Sequence, residues 1–167
     1  TLTAWMRVVS MCAPRSRGGQ ALLLGETDPV IARSLALWDG RVLAAQELAE
    51  RAETGLPPVV GAACVWGRRD VVRAALEHIG AFTGDLAVID TGQGGVPAVW
   101  GPVPIAQPRT IDARELEATQ DRVKAVVRVP LSERAELARR LRAEVARHVA
   151  AREPGELRFQ LDPKDLI

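Results

Sequence analysis

The sequence predicts an α+β fold in which helices pack on one face of a small sheet. Beyond residue 59, short apolar runs alternate with amphipathic helical patterns. Their order is strand–helix–strand, an extra edge segment, and strand–helix–strand again, with prolines and glycines at the turns. This βαβ–βαβ order is typical of a ferredoxin-like or ribosomal S10-like sandwich.

The composition limits the class of protein. The 167 residues are 47% apolar and 26% charged, with a net charge of +1, as in ordinary globular domains. We expect no signal peptide and no contact with a membrane, because no apolar run approaches the roughly 20 residues that span a bilayer. Cys12 and Cys64 are too few and too far apart for a disulfide framework or a four-ligand zinc site, so we expect no metal.

Residues 1–39 are predicted to be the edge of an α/β domain. Apolar residues at spacings of three and four predict a helix over 3–11. A short apolar run between glycines predicts a buried strand over 20–25. Asp28 followed by Pro29 is an N-cap with proline at the first helical position, so a helix should follow to residue 37.

A second domain is predicted over residues 40–167. It begins with a helix over 41–52, which ends at the two prolines before residue 59. The remaining elements are, in order, a strand (59–66), a helix (68–82), a strand (86–90), a tight turn (92–95), an extended edge segment with prolines (97–105), a polar connection (106–119), a strand (123–129), a long helix (131–151) and a strand (156–161).

The sequence contains no catalytic constellation. His78 and His148 stand alone on predicted helices, without the spacing of metal ligands or of a base beside a nucleophile. Gly92, Gly94 and Gly95 resemble a phosphate loop only superficially, because no Walker lysine follows and a proline-containing strand comes next. We therefore expect no enzyme active site and no cofactor in this chain.

The last predicted helix is net basic, which makes it the candidate binding surface. On a helical wheel, Arg139, Arg140 and Arg147 face solvent, where they could hold a nucleic-acid backbone or form an ordinary solvated face. Arg134 lies in the first turn on the apolar side, so its charge needs a carboxylate from this chain or from another. The members of this helix that carry charge are Arg134, Arg139, Arg140, Arg142, Arg147 and Arg152 against Glu133, Glu136 and Glu144.

Three tryptophans flank predicted elements. Trp38, Trp66 and Trp100 could stack on nucleic-acid bases, or they could be half-buried structural residues, which is the commoner role.

Four motifs in order give a resemblance to a known family. They are Glu47-Leu-Ala-Glu-Arg51, Leu56-Pro-Pro58, Gly101-Pro-Val-Pro104 and Arg158-Phe-Gln-Leu-Asp-Pro163. Together they resemble the C-terminal portion of PriA, the primosomal protein N′ family of bacterial replication restart. Residues 1–39 resemble the last elements of that family's second helicase lobe, and 40–167 its S10-like C-terminal domain. The 20 arginines against two lysines suit an actinobacterial source.

The resemblance implies a function for the parent protein. PriA-like proteins recognise stalled forks in the bacterial cytoplasm and nucleoid, unwind DNA 3′ to 5′ with ATP, and help reload the replicative helicase. The resemblance implies binding of single-stranded or forked DNA, of the C-terminal tail of single-stranded-DNA-binding protein, and of other primosome proteins. ATP and zinc are expected only in the family's upstream regions, because helicase motifs and a cysteine cluster are missing from this sequence.

One residue role is implied by the same resemblance. In the family, an arginine near the start of the last helix helps to hold the partner's tail, and Arg134 in Pro130-Leu-Ser-Glu-Arg134 is its counterpart. The family's glutamine one turn later falls at Ala138, which removes one hydrogen-bonding group. The alternative to the whole assignment is a small ferredoxin-like regulatory or oligomerisation domain, which binds a metabolite or its own copy and is indifferent to DNA.

Overall fold

The computed structural model describes residues 2–105 and 121–163. The chain divides into two compact units, residues 1–50 and 51–167, each of which is described by itself. The predicted polar connection over 106–119 lies outside the described residues.

The first unit is built from helices. Helix α1 spans Leu2–Val9 and helix α2 spans Pro29–Leu37, with a single 3₁₀ turn at Arg15–Arg17 between them. Asp28 caps α2 as the sequence predicts, because its Oδ1 accepts a hydrogen bond of 2.7 Å from the Val30 amide. The two predicted helices of this region are therefore confirmed.

The predicted strand over 20–25 is wrong. This segment has no regular secondary structure, and Leu22 and Leu24 are almost fully exposed. A lone strand leaves its amide and carbonyl groups without ladder partners, and none of the described strands pairs with this segment. The apolar run alone could not reveal that the partner strand is missing.

Helix α3 spans Arg41–Thr54, close to the predicted 41–52, and the two compact units divide within it. Gly55 follows with a φ of +61°, a left-handed conformation that glycine adopts without a steric penalty. The assignment of 1–39 and 40–167 to separate parts of a larger protein stays a prediction.

The described residues of the second unit form a four-stranded sheet with two helices on one face. Its elements are β1 (Val60–Arg68), α4 (Arg69–His78), β2 (Val88–Asp90), β3 (Gly95–Pro97), β4 (Val99–Pro104), β5 (Arg122–Pro130), α5 (Arg134–Ala150) and β6 (Leu157–Leu161). The strand order is β4-β5-β1-β6, and every pair is antiparallel. The predicted α+β class is confirmed.

The strand after α4 differs from the prediction. The predicted strand over 86–90 shrinks to β2, which pairs only with β3 in a separate hairpin closed by the predicted glycine turn. The edge segment instead joins the main sheet as β4, beside β5. Its prolines suit this edge position, because a proline cannot donate to a neighbour on either side. Helix α4 also stops at His78, before the predicted residue 82, and Gly80 has a φ of +79°.

The main core lies between the sheet and its two helices. It is formed by alternate residues of the strands and one face of each helix, including Val65, Val72, Leu76, Val127, Leu137 and Leu141. On the opposite face of the sheet a smaller cluster holds Ala62, Cys64 and Val126. The sheet therefore has one face that packs the main core against α4 and α5, and an opposite face that carries the smaller cluster.

Candidate nucleic-acid and partner interface

Arg134 begins α5 directly against β1. A Cβ at Gly61 would approach the Arg134 Cβ to 3.0 Å, so the arginine stem rests on the β1 backbone. Its guanidinium forms an ion pair with Asp162. Asp162 is held in turn by Ala62, whose amide donates to Oδ1 at 3.2 Å and whose carbonyl accepts from the Asp162 amide at 2.7 Å. The carboxylate that Arg134 needs thus comes from this chain, while its side chain stays half-exposed.

Arg139 and Arg140 share the carboxylate of Glu136. The Arg139 Nη2 lies 2.5 Å from Glu136 Oε1 and the Arg140 Nε lies 2.7 Å from it. Hydrogen bonds from these two guanidiniums lower the pKa of Glu136 to about 2. Arg140 also donates to Asp85 at 2.6 Å and to the Ile79 carbonyl at 2.9 Å. It therefore fastens α5 to the segment that follows α4.

These two neighbours differ in exposure. The Arg139 side chain is 68% exposed and faces solvent as predicted, whereas that of Arg140 is 26% exposed. The expectation that Arg140 faces solvent fails because Asp85, which is distant in sequence, draws its guanidinium across the helix surface.

Arg147 belongs to a second ionic cluster. Its guanidinium lies 2.6 Å from both Glu144 and Glu153, and His78 Nδ1 lies 3.0 Å from Glu144 Oε1. Burial raises the pKa of Glu144, but hydrogen bonds from Arg147 and His78 outweigh burial and leave that pKa below its ordinary value. This cluster joins the ends of α4 and α5.

The predicted arginines are therefore electrically paired. Each of Arg134, Arg139, Arg140 and Arg147 has at least one carboxylate partner. A phosphate would have to compete with these carboxylates for the guanidinium donors. The roles predicted for Arg139, Arg140 and Arg147 in binding DNA, and for Arg134 in binding a tail, stay predictions.

Arg128 is a residue that the sequence analysis missed. It lies in β5 and is only 1% exposed, on the sheet face opposite the helices. Its Nη1 donates to the carbonyls of Thr54 and Gly55, both at 2.9 Å, and its Nη2 donates to the Pro97 carbonyl at 2.6 Å. The guanidinium also stacks on Trp100, 3.8 Å from the ring centroid.

Burial lowers the pKa of Arg128, and no carboxylate in residues 2–105 or 121–163 pairs with it. Its Nη donors instead bond to carbonyls at the end of α3 and beside the hairpin. The signal in the sequence was an arginine within the valine-rich run of β5, where a charge needs a structural reason.

The described residues include two free cysteines, of which Cys12 is exposed and Cys64 is buried. Burial raises the pKa of the Cys64 thiol, which keeps it protonated and unreactive. Nowhere in the described part of the chain do three or more His, Cys, Asp or Glu side chains meet as a metal site would require. The helices of that part include none long and apolar enough to cross a bilayer.

The fold and the surface together define a small α+β domain with an ionic, arginine-rich surface. A family profile described as the primosomal protein N C-terminal domain matches residues 52–164. The chain belongs to this family.

Curated relatives agree with the family. The probable replication restart protein PriA of Mycobacterium tuberculosis (strain ATCC 25618 / H37Rv) is 38% identical over 76 residues, which are 46% of this chain and 12% of that protein. The protein of the same name from Mycobacterium leprae (strain TN) is 35% identical over 77 residues, with the same shares. The match thus spans about an eighth of the length of these relatives. The resemblance to the C-terminal portion of PriA, in its actinobacterial form, is confirmed.

Proposed function

We propose that this chain is the C-terminal module of a replication-restart protein and that it binds DNA and protein partners at stalled forks. The observation that carries the proposal is the family match over residues 52–164, which takes in the whole four-stranded sheet and both of its helices. The proposal includes a ferredoxin-like, S10-like arrangement. The strand order β4-β5-β1-β6, with α4 between β1 and β4 and α5 between β5 and β6, supports it.

Residues 1–39 are proposed to be the last elements of a helicase lobe. The exposed leucines at 22 and 24 support this, because side chains of that kind are normally covered within a larger domain. We propose no catalysis and no cofactor for this chain itself. ATP and zinc sites belong to upstream regions, and the parent protein works in the bacterial cytoplasm. The chain incubated with forked DNA should hydrolyse no ATP, and measurable ATP hydrolysis would contradict the proposal that this chain has no catalytic activity.

DNA binding is tested by a gel shift with forked DNA at two salt concentrations. Binding should weaken steeply with salt, because phosphate contacts release counterions. Arg139 is the candidate to replace first, since it is the most exposed of the three predicted arginines and, among residues 2–105 and 121–163, has one carboxylate partner. Arg139→Gln should lower the slope of log affinity against log salt by about 1. Arg142→Gln is the matched control, because Arg142 is exposed on the same helix and was not assigned a role.

Two results bear on the DNA-binding half of the proposal. Full affinity in each of Arg139→Gln, Arg140→Gln and Arg147→Gln would contradict the assignment of these three arginines to the DNA site. Absence of any DNA binding by the whole chain would favour the alternative, a regulatory domain that binds a metabolite or its own copy.

Partner binding is tested with an acidic tail peptide of single-stranded-DNA-binding protein. Arg134 suits a second carboxylate, because its stem is fixed on Gly61 while its guanidinium stays half-exposed. Arg134→Ala should weaken binding, with Arg142→Ala unchanged. Asp162→Asn should bind the peptide at least as well as the natural chain, because it frees the guanidinium. Equal affinity in Arg134→Ala, or loss in Asp162→Asn, would contradict the role of Arg134.

A further inference from the structure

The sheet face opposite α4 and α5 places a tryptophan between two cations. In the registers of β1 with β6 and with β5, Trp66 lies directly across from Arg158 on one side and from Lys124 on the other. Residues directly opposite in antiparallel strands project from the same face of the sheet. Trp66 is half-buried beside the buried Cys64 in the small cluster, so it lies on the sheet face opposite α4 and α5.

A second tryptophan shares the face. Trp100 pairs with Val126, another member of the small cluster, and is 36% exposed with one side of its ring against Arg128. Trp100 and Trp66 lie two strands and two residues apart. At about 4.8 Å per strand and about 3.4 Å per residue, this separates their backbones by roughly 12 Å. Lys124 lies on β5, the strand between them.

The cations of this face are less compensated than those of α5. Lys124 has no carboxylate partner among residues 2–105 and 121–163, and its described partner is the Cys64 thiol. Arg158, 70% exposed at its side chain, shares the single carboxylate of Glu156 with Arg122. At this end of the sheet the described basic residues are Arg68, Arg69, Arg122, Lys124 and Arg158, and the acidic ones are Asp70, Asp121 and Glu156. Among the described residues, the charge balance at this end of the sheet is therefore positive.

We propose that this sheet face, defined by Trp66, Trp100, Lys124 and Arg158, binds single-stranded DNA. The bases stack on the tryptophan rings, and the phosphates contact Lys124 and Arg158. Cations interleaved with aromatic rings suit single strands, because a duplex hides the faces of its bases while every unpaired base exposes one. The inference rests on the proposed DNA binding and assigns it a site that the predicted arginines of α5 do not include.

The test compares four measurements on the full chain by fluorescence anisotropy. The natural chain is titrated against a labelled thymidine 15-mer, an abasic strand of the same length and a duplex, and the double variant Lys124→Gln/Arg158→Gln is titrated against the 15-mer. The natural chain should bind the 15-mer at least about tenfold more tightly than the abasic strand or the duplex. The double variant should lose affinity at least about tenfold and lower the salt slope by about 2. Arg142→Gln, the control cation on α5, should bind like the natural chain.

A spectroscopic readout locates the bases. The chain has four tryptophans, so replacing Trp5 and Trp38 by Phe leaves only Trp66 and Trp100 to report. Their fluorescence should be quenched on binding of the 15-mer and not of the abasic strand.

The outcomes separate this inference from the proposed function. If the natural chain binds DNA and the double variant binds equally well, or if the abasic strand binds as tightly as the 15-mer, the sheet face is not the site and DNA binding itself stands. If the natural chain binds no DNA, both proposals fail.

Discussion

The two faces of the C-terminal unit differ in how far their positively charged side chains are paired with carboxylates. The outer surface of α5 carries most of the arginines of this unit's helices, yet Arg134, Arg139, Arg140 and Arg147 are each joined to a carboxylate. The opposite sheet face also carries cations, but one of them lacks a described carboxylate and two others share one. The number of arginines in a sequence is therefore a poor measure of the charge that a polyanion meets, since pairing decides how much is available.

The largest expected effect is on stability, and it tests the buried cation of the sheet face, Arg128. Arg128→Met keeps an unbranched apolar stem but removes the guanidinium donors that bond to the carbonyls of Thr54, Gly55 and Pro97. We expect a loss of about 3–5 kcal/mol in the free energy of unfolding. Urea unfolding followed by circular dichroism measures it, with Arg142→Met, on the exposed surface of α5, expected within about 0.5 kcal/mol of the natural chain. Natural stability in Arg128→Met would mean that water satisfies these carbonyls.

A smaller effect tests whether the arginines of α5 are structural. Arg140→Gln removes the bridge from α5 to Asp85 and the Ile79 carbonyl, and should cost about 1–2 kcal/mol after solvent screening. Arg139→Gln, its exposed neighbour, should unfold at the same urea concentration as the natural chain. If Arg140→Gln and Arg139→Gln unfolded at the same urea concentration, the half-buried Arg140 would be no more important to stability than the exposed Arg139.

The smallest expected effect is a pH dependence centred on Glu136. Its pKa is lowered from the ordinary 4.5 to about 2, so the folded state favours the ionised carboxylate. The stabilisation is complete above pH 4.5 and disappears as the pH falls towards 2. Thermal unfolding should show Glu136→Gln less stable than the natural chain at pH 7, with the difference in Tm shrinking between pH 4.5 and 2. A difference that stays constant with pH would exclude this ionic contribution.

The sequence allowed prediction of those elements whose signals are local. Asp28-Pro29 marks the start of α2, and the β-branched run before Pro130 marks β5, so both were found within a residue or two. The strand over 20–25 was wrongly predicted and the separate pairing of β2 with β3 was not foreseen, because pairing depends on strands distant in sequence.

In the candidate site too, contacts set by local spacing could be predicted and contacts set by the tertiary fold could not. The sharing of Glu136 by Arg139 and Arg140 follows from helical spacing of three and four residues. In contrast, the partners Asp85 of Arg140 and Asp162 of Arg134 are brought close only by the tertiary fold. The row of Arg158, Trp66 and Lys124 depends on strand register, which no local pattern encodes.

The edge strand β4 limits how the sheet can grow. Pro102 and Pro104 have no amide hydrogen to offer a further strand, and the register shifts between Trp100 and Val103, which interrupts the regular spacing of its outer groups. Another chain therefore cannot extend the sheet in a continuous ladder on this side. A symmetric pairing of two copies, edge to edge, would have to proceed through β6 at the opposite border, and β4 acts as a built-in stop against uncontrolled strand addition.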